Sequence, residues 1–301
     1  MSAIRTLLTG SIDYAGLFPP AGLDMATAVE NYNRYRAEPV AWALGRFVVP
    51  ASRLDEFQAA AARSLPANAG QRWRLALLAG PDLTADLEMT AEFNRRNTAA
   101  FLADTIEVKA SSVGGIEEIM HRIPRPLQAY IEVPTDRDPR ELLAAIGRLG
   151  GRAKVRTGGV TKDAFPATSD LIRFLRGCVE AGLPFKATAG LHHPLRAEYH
   201  LTYAPDSPVG LMFGFLNLFL ATAFLQAGMA EGDVARVLEE GSPEAFRIDG
   251  GGATWKGHRI DLKALSDARR VGIVSFGSCS FTEPIGDLEA LHLLDPGVRQ
   301  A

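Results

Sequence analysis

Four short segments decide the fold of this chain: Ile106-Glu107-Val108-Lys109, Tyr130-Ile131-Glu132-Val133, Lys154-Val155-Arg156-Thr157 and Phe185-Lys186-Ala187-Thr188. Each places charged residues at one parity and apolar residues at the other. Side chains alternate between the two faces of a β-strand, so Glu107 shares a face with Lys109, and Lys154 with Arg156. Ionised groups are not buried without partners, so the charged face must line a polar site. Charges gathered from four strands therefore predict a functional site.

Strand-like and helix-like segments alternate along the whole chain, which is typical of βα units on a parallel sheet. The predicted strands are Thr6–Ile12, Arg46–Val49, Arg74–Leu78, Thr105–Lys109, Gln128–Val133, Ala153–Thr157, Pro184–Thr188 and Gly272–Phe276. The predicted helices are Met25–Arg36, Ser52–Arg63, Leu83–Arg96, Gly115–Arg122, Pro139–Leu149, Thr168–Ala181, Leu262–Arg270 and Ile285–Leu294. This pattern predicts an α/β fold, with a single (β/α)8 TIM-type barrel domain over residues 1–301. Pro243–Asp261 is predicted to form a β-hairpin inserted before the last unit.

The competing architecture is an open, doubly wound parallel sheet. Such a sheet would normally carry a Gly-rich phosphate turn after an early strand. Neither GxGxxG nor GxxxxGKS/T occurs in the chain. The sequence therefore favours the barrel, and it predicts no bound cofactor.

Composition limits the classes of partner. The 301 residues are 47% hydrophobic and 22% charged, with a formal net charge of -3 and no basic run, so no nucleic-acid or membrane partner is predicted. The two cysteines, Cys178 and Cys279, lie far apart without zinc spacing, which favours a reducing compartment. The N-terminus lacks the features of a secretory signal. We expect a cytoplasmic homo-oligomer that binds a small anionic substrate.

One apolar run, Val209–Ala230, contains no charged residue and is long enough to span a bilayer. Asn217 and Gln226 interrupt it, and its flanks carry acidic residues without a Lys or Arg anchor. We therefore predict a buried helix, with cover from a second subunit as one way of burying it.

In a barrel of this kind, the active site lies at the C-terminal ends of the strands and in the loops that follow. The predicted catalytic residues are Lys186, Lys154, Glu132 and His192. The predicted substrate-binding residues are Asp13, Glu107, Lys109, Arg156, Thr157, Gly158, Thr188, His193, Ser275, Gly277, Ser278 and Ser280. The four cations of this set outnumber the two nearby carboxylates unless Asp13 joins them, which predicts an anionic ligand. The alternative is that the inward charges pair with one another and fill the barrel.

The lysines are the candidate nucleophiles. A lysine held among other cations has a lowered pKa, and its neutral amine can attack a carbonyl. We predict that Lys186 is the nucleophile and that Lys154 lowers its pKa. The exchange of these two roles is the alternative.

The segment Phe185-Lys186-Ala187-Thr188-Ala189-Gly190 resembles the Lys-x-Thr-x-Gly strand of deoxyribose-phosphate aldolase-type barrels. The resemblance covers one strand and its loop, and the chain departs from it at Leu191-His192-His193-Pro194. It implies a lysine Schiff base and aldolase-like lyase chemistry. Such barrels usually carry the Schiff-base lysine on the sixth strand, and Lys154 lies on the sixth predicted strand.

The other polar candidates each have two interpretations. Glu132 and Glu107, ionised beside lysines, suit proton abstraction, or they form salt bridges that position a lysine. His192 and His193 are adjacent in an extended segment, so they should not bind one metal ion together. One of them is predicted to act as an acid, a base or a phosphate contact. A divalent metal held by Asp13, Glu132 and His192 is the alternative.

Two Gly-containing loops are candidate anion sites. Gly277–Ser280 follows the last strand and precedes a helix, where backbone N–H groups and the helix dipole favour phosphate. Thr157-Gly158-Gly159 is similar, and both loops could instead be tight turns that need glycine. Cys279 is a weaker candidate nucleophile because no base is clearly paired with it.

The loop Asp13–Pro20 is stiff and partly apolar. It is predicted either to close over the barrel mouth or to pack on a neighbouring subunit. Three functional hypotheses follow from the sequence: a Schiff-base lyase or isomerase acting on a phosphorylated sugar or oxo acid, a metal-dependent enzyme on the same barrel, and a non-catalytic scaffold that assembles through Val209–Ala230.

Overall fold

The computed structural model describes residues 2–63 and 72–294. Its centre is a closed barrel of eight parallel strands, ordered β1-β13-β7-β6-β5-β4-β3-β2 around the ring. The barrel strands are β1 (Ile12–Tyr14), β2 (Leu44–Pro50), β3 (Trp73–Leu78), β4 (Phe101–Lys109), β5 (Gln128–Glu132), β6 (Arg152–Arg156), β7 (Phe185–Thr188) and β13 (Ile273–Ser278). The remaining strands are β8 (Ala197–His200), β9 (Val209–Met212), β10 (Phe246–Asp249), β11 (Gly252–Trp255) and β12 (His258–Asp261).

Helices connect the barrel strands and cover the outside of the barrel. They are α1 (Ala3–Leu8), α2 (Met25–Ala37), α3 (Leu54–Ala62), α4 (Leu83–Arg96), α5 (Val113–Arg122), α6 (Arg140–Arg148), α7 (Thr168–Glu180), α8 (Phe215–Gln226), α9 (Glu231–Glu239), α10 (Leu262–Val271) and α11 (Thr282–Ala290). The predicted α/β barrel is confirmed. The bounds of α4 are those predicted, and an aspartate (Asp82) caps its N-terminus by accepting the backbone N–H of Ala85.

The predicted first strand, Thr6–Ile12, is wrong at its N-terminal part. Residues Ala3–Leu8 form helix α1, and the strand begins only at Ile12. Ser2 caps the helix, and its buried residues recur at helical spacing as Ala3, Ile4, Leu7 and Leu8. The apolar residues of this segment therefore follow a helical period, and Asp13 lies inside β1 rather than in the loop after it.

The connection from β7 to β13 is much longer than the others. It holds the antiparallel pair β8–β9, helices α8, α9 and α10, and a three-stranded antiparallel sheet of β10, β11 and β12. The predicted hairpin over Pro243–Asp261 is confirmed as the pair β10–β11, to which β12 adds a third strand. The pair β8–β9 was not predicted.

The apolar run Val209–Ala230 is not one helix. Its first part is strand β9, and Gly214 separates the strand from α8 at a point where a Cβ atom would lie 2.2 Å from the carbonyl oxygen of Pro194. All residues of α8 from Phe215 to Phe224 are buried, and the helix packs against α7, α9, α10 and β13 of the same chain. The chain itself therefore covers this helix, and no second subunit is needed for its burial.

Asn217 explains how a polar residue sits in this apolar helix. Its side-chain nitrogen donates to the carbonyl oxygens of Val237 and Glu240 at 2.7 and 2.8 Å, and its oxygen accepts the backbone N–H of Arg196 at 2.9 Å. A buried amide is tolerated when its groups are bonded in this way. Within the described ranges, no helix has both the length and the apolar character needed to cross a membrane.

Candidate active site

Six charged residues of the barrel strands form one alternating chain of acids and bases. Lys186 Nζ donates to Asp13 Oδ2 at 2.5 Å and to Glu107 Oε1 at 2.6 Å. Lys154 Nζ lies 2.6 Å from Glu107 Oε2 and 2.8 Å from Glu132 Oε2. Lys109 Nζ ends the chain, 3.6 Å from Glu132 Oε1. Glu107 thus bridges the two buried lysines.

Strand register brings these residues together. Lys154 on β6 is paired with Glu132 on β5 and with Lys186 on β7, and Lys186 is paired in turn with Ser275 on β13. Side chains in one row of a parallel barrel point to the same side, and here that side is the barrel interior. The predicted charged face is therefore confirmed as the face that lines the interior.

The pKa relation predicted between the two lysines is wrong. Burial by itself lowers the pKa of Lys186, but the carboxylates of Asp13 and Glu107 more than offset burial and raise the pKa above its usual range. The pKa of Lys154 is raised in the same way by Glu107 and Glu132. A carboxylate stands between the two ammonium groups, so Lys154 does not act on Lys186 as an unscreened cation.

Glu107 shows the reciprocal effect. Burial alone would raise its pKa, but the ammonium groups of Lys154 and Lys186 lower it to about 2. Glu107 is therefore ionised at neutral pH and accepts a proton only while a neighbouring lysine gives one up.

Asp13 reduces the predicted surplus of positive charge to one cation, Arg156. The interior chain contains three carboxylates, Asp13, Glu107 and Glu132, for the three lysines. Asp13 also accepts the Ser275 hydroxyl at 2.9 Å and the backbone N–H of Arg46 at 2.8 Å. The inward charges largely neutralise one another, as the alternative interpretation held.

Above this chain lies a cavity of about 330 Å³ at the mouth of the barrel. Glu107, Lys154 and Lys186 line it from the strands. Residues Ala15 to Pro20 of the loop after β1 contribute Ala15, Phe18, Pro19 and Pro20 to its wall. Of the two predictions for this loop, the structure thus supports a position at the barrel mouth. The pair β8–β9 and its turn contribute His200, Leu201, Thr202, Tyr203 and Met212.

Four side chains from loops and a helix form a second polar cluster on the cavity wall, which we call the wall cluster: His192, Tyr203, Cys279 and Glu283. His192 Nδ1 lies 3.4 Å from Glu283 Oε2 and 3.7 Å from Cys279 Sγ. Tyr203 donates its hydroxyl to Glu283 Oε2 at 3.2 Å, and its oxygen lies 3.4 Å from Cys279 Sγ. Cys279 therefore does have a histidine beside it.

The wall cluster holds a proton at neutral pH. Burial by itself lowers the pKa of His192, but its hydrogen bonds to Cys279 and Glu283 more than offset burial and raise the pKa to about 9. The pKa of Glu283 is lowered because His192 outweighs the opposing effect of burial. Burial, Cys279 and Glu283 together raise the pKa of Tyr203. His192 is accordingly an imidazolium that can donate a proton into the cavity.

His193 has different partners. Its Nδ1 lies 2.6 Å from Asp287 Oδ2, and its ring stacks on Tyr199 with centroids 3.6 Å apart. The ring centroids of His192 and His193 lie 6.4 Å apart, and the two rings have different polar partners. Both line the cavity.

Several predicted binding residues make contacts within the protein that hold other residues of the site in place. Ser275 donates to Asp13, and Thr157 donates its hydroxyl to the carbonyl oxygen of Ala189 at 2.7 Å. Gly158 is required by packing, because a Cβ atom there would lie 2.5 Å from the ring of Phe165. Packing against Phe165, and not a turn conformation, therefore accounts for the glycine at position 158. Glu132 and Lys109 line a neighbouring groove instead of the cavity.

The donors of the Gly277–Ser280 loop are in part already used. The N–H of Ser280 donates to Ser278 Oγ at 3.4 Å, and the N–H of Glu283 donates to Ser280 Oγ at 3.1 Å. Ser278 is buried, and its Oγ lies 3.4 Å from His192 Nδ1. Helix α11 begins at Thr282, three residues earlier than predicted, so Glu283 lies in its first turn.

Arg156 differs from the other strand cations. It lines the cavity together with Thr188 and Gly277, and it is exposed. Among the described residues, it is the one cavity-lining lysine or arginine without a carboxylate partner. Thr188, the register partner of Arg156 on β7, has an Oγ1 atom that is buried without a hydrogen-bond partner. The exposed Arg156 guanidinium is available to a ligand.

The three residues of the predicted metal site are held apart by different partners. Asp13 contacts Lys186, Glu132 contacts Lys154, and His192 contacts Glu283. In residues 2–63 and 72–294, no three His, Cys, Asp or Glu side chains form a group that could hold a metal ion. That ligand set is therefore wrong.

No family model, curated protein or solved structure matches this chain. The assignment of function consequently depends on the site itself.

Sequence reasoning missed two members of the wall cluster, Tyr203 and Glu283. Tyr203 lies between β8 and β9, in a segment with no clear periodic signal. Glu283 could have been found from the sequence, since a serine followed three residues later by a glutamate, as in Ser280 and Glu283, is typical of the start of a helix.

Proposed function

We propose that this protein is an enzyme that forms a Schiff base between Lys154 and a small anionic carbonyl compound, and that it catalyses aldolase-like lyase chemistry. The main observation that supports this proposal is that Lys154 lines the cavity and lies between two carboxylates. Its Nζ lies 2.6 Å from Glu107 and 2.8 Å from Glu132. Such a lysine can attack a carbonyl group once it has transferred its proton to one of these carboxylates.

Lys154 is better placed than Lys186 to be the nucleophile. The Lys186 side chain is 1% exposed, and both of its carboxylate partners are almost fully buried. Lys154 is 8% exposed, and its partner Glu132 is 11% exposed. Glu132 can therefore exchange protons with solvent. The sixth-strand position that the aldolase resemblance implies for such a lysine is also that of Lys154, which lies on β6.

Groups in or beside the cavity can accept and donate the protons that imine formation requires. The Lys154 ammonium passes a proton to Glu132 or Glu107, and the resulting amine adds to the substrate carbonyl. The carbinolamine hydroxyl then leaves as water after it is protonated, for which the His192 imidazolium is a donor in the same cavity. The net reaction joins amine and carbonyl and releases one water molecule. The protonated imine then accepts the electron pair of the carbon–carbon bond that breaks. The hydroxyl group on the departing carbon becomes a carbonyl and gives its proton to the neutral imidazole that His192 has become.

Lys186 would support this chemistry without forming a bond. It holds Glu107 through a 2.6 Å contact and keeps that carboxylate oriented toward Lys154. Because the pKa of Lys154 is raised, most of the lysine is protonated at neutral pH. We expect the rate of imine formation to increase with pH through the neutral range.

Borohydride trapping tests the proposal. Wild-type protein, Lys154→Met and Lys162→Met would be treated with pooled small oxo acids, aldehydes and ketones, reduced, and read by intact mass. We expect adducts on wild-type protein and on Lys162→Met, whose exposed lysine lies outside the cavity lining. Lys154→Met should give none. Circular dichroism would establish that each variant is folded.

An adduct that persists in folded Lys154→Met would refute the assignment of the nucleophile. Absence of an adduct across all pools, with a known Schiff-base aldolase trapped in parallel, would refute the Schiff-base proposal.

A further inference from the structure

We infer that the substrate of this site is an oxo acid with an apolar side chain, rather than a phosphorylated sugar. This inference rests on the proposed function, because it names the carbonyl compound that reaches Lys154. Three features of the cavity support it. These are the one cation without a carboxylate partner, the candidate anion loop whose groups already have partners within the protein, and the apolar part of the wall.

The number of free cations limits the charge of the ligand. Lys154, Lys186 and His192 each contact carboxylates, so their charges are already balanced. Arg156 remains without a carboxylate partner among the described residues that line the cavity. One guanidinium matches one carboxylate through two parallel hydrogen bonds. A dianionic phosphate would leave charge uncompensated beside Glu107 and Glu283.

The usual phosphate position in this kind of barrel is occupied by the protein's own groups. The first turn of α11 follows the loop after the last barrel strand, where helix N–H groups would attract an anion. Ser280 already accepts the N–H of Glu283, and the Glu283 carboxylate extends to His192 and Tyr203 on the cavity wall. This carboxylate supplies the negative charge that the helix terminus favours. A phosphate placed there would meet a like charge.

Much of the remaining wall is apolar. The loop after β1 and the pair β8–β9 contribute Phe18, Pro19, Pro20, Leu201 and Met212 to the cavity. Val48 and Leu78 add two apolar side chains from β2 and β3, on the opposite side of the barrel from β6 and β7. A hydroxylated sugar chain would lose hydrogen bonds to water against such a surface, whereas an apolar side chain gains by leaving water. The volume of about 330 Å³ restricts the ligand to a small molecule.

Matched carbonyl compounds test this inference on the full chain. Phenylpyruvate carries a carboxylate and an apolar group, phenylacetaldehyde lacks the carboxylate, and glycolaldehyde phosphate carries the phosphate. Borohydride trapping over a concentration series would be run on wild-type protein, Arg156→Gln and the exposed control Lys162→Gln. We expect half-maximal trapping of phenylpyruvate at a concentration about ten- to a hundredfold below that of glycolaldehyde phosphate. Arg156→Gln should remove the advantage of phenylpyruvate over phenylacetaldehyde, and Lys162→Gln should keep it.

Tighter trapping of glycolaldehyde phosphate would overturn the inference while leaving the Schiff base intact. If no compound is trapped, the proposed function fails, and binding without chemistry decides the inference. Phenyllactate, which has a hydroxyl group in place of the keto group and so cannot form an imine, should then raise the melting temperature of wild-type protein but not of Arg156→Gln. Stabilisation by inorganic phosphate instead, or by neither compound, would overturn the inference.

Discussion

The barrel interior and the wall cluster hold charge in different ways. In the interior, strands supply every member, and each buried ammonium group contacts two carboxylates at 2.5 to 2.8 Å. In the wall cluster, a loop, a strand connection and a helix supply the members, and the contacts of His192 are 3.4 Å or longer. Strand register fixes side chains in rows, whereas the position of a side chain on a loop depends on the conformation of that loop. The shorter contacts of the interior therefore stabilise the charged forms of its residues more strongly than the longer contacts of the wall cluster do.

The largest expected effect is the loss of one interior lysine. Lys186→Met leaves Asp13 and Glu107 buried without their shared partner, so we expect the free energy of unfolding to fall by about 3–5 kcal/mol. Lys109→Met removes the 80% exposed end of the same chain and should cost only about 0–1 kcal/mol. Urea denaturation of both variants measures the difference. Equal losses would show that the interior pairs are no more coupled than a surface contact.

Acid should remove the stability that the ionised Glu107 gives to the folded protein. The pKa of Glu107 is depressed to about 2, so its stabilising effect is present above the unfolded-state value of about 4.3 and is lost as the pH falls toward 2. The change amounts to roughly 3 kcal/mol for a shift of this size. Unfolding free energies measured between about pH 5 and pH 2 would follow this loss of stability, because the unfolded-state and folded-state pKa values of Glu107 set that range. Glu107→Gln should flatten this part of the profile, and an unchanged slope would contradict the account.

The wall cluster should respond in a smaller and local way. Glu283→Gln removes the carboxylate nearest His192 but leaves Cys279 in place, so the pKa of His192 should fall from about 9 toward its ordinary value. Titration of the imidazole signals by NMR would report the pKa. Asp287→Asn is the matched control, because Asp287 contacts His193 instead. A His192 pKa that stays high in Glu283→Gln would assign the raised pKa to another group.

This contrast also explains how far the sequence could be interpreted. The alternating parity predicted that Glu107, Lys154 and Lys186 share one face of the strands, because successive side chains of a strand point to one of only two faces. It could not predict that Glu107 stands between the lysines, since that depends on register and on side-chain reach across three strands. The direction of the lysine pKa shifts was wrong for this reason.

Loop-borne residues were less accessible to sequence reasoning. Tyr203 meets Cys279 and Glu283 across a separation of more than seventy residues, and no local pattern specifies such a contact. The segment Ala3–Leu8 was missed because four apolar residues in a short stretch suit a strand as well as a helix. Helices with an aspartate cap or a long amphipathic pattern, such as α4, were predicted closely.

Peptide mapping of the borohydride-reduced protein tests the central claim most directly, because it locates the covalent bond. We predict that the reduced adduct of an oxo acid lies on Lys154, on the sixth strand of the barrel. An adduct on Lys186, or only on exposed lysines such as Lys109 and Lys162, would contradict the account.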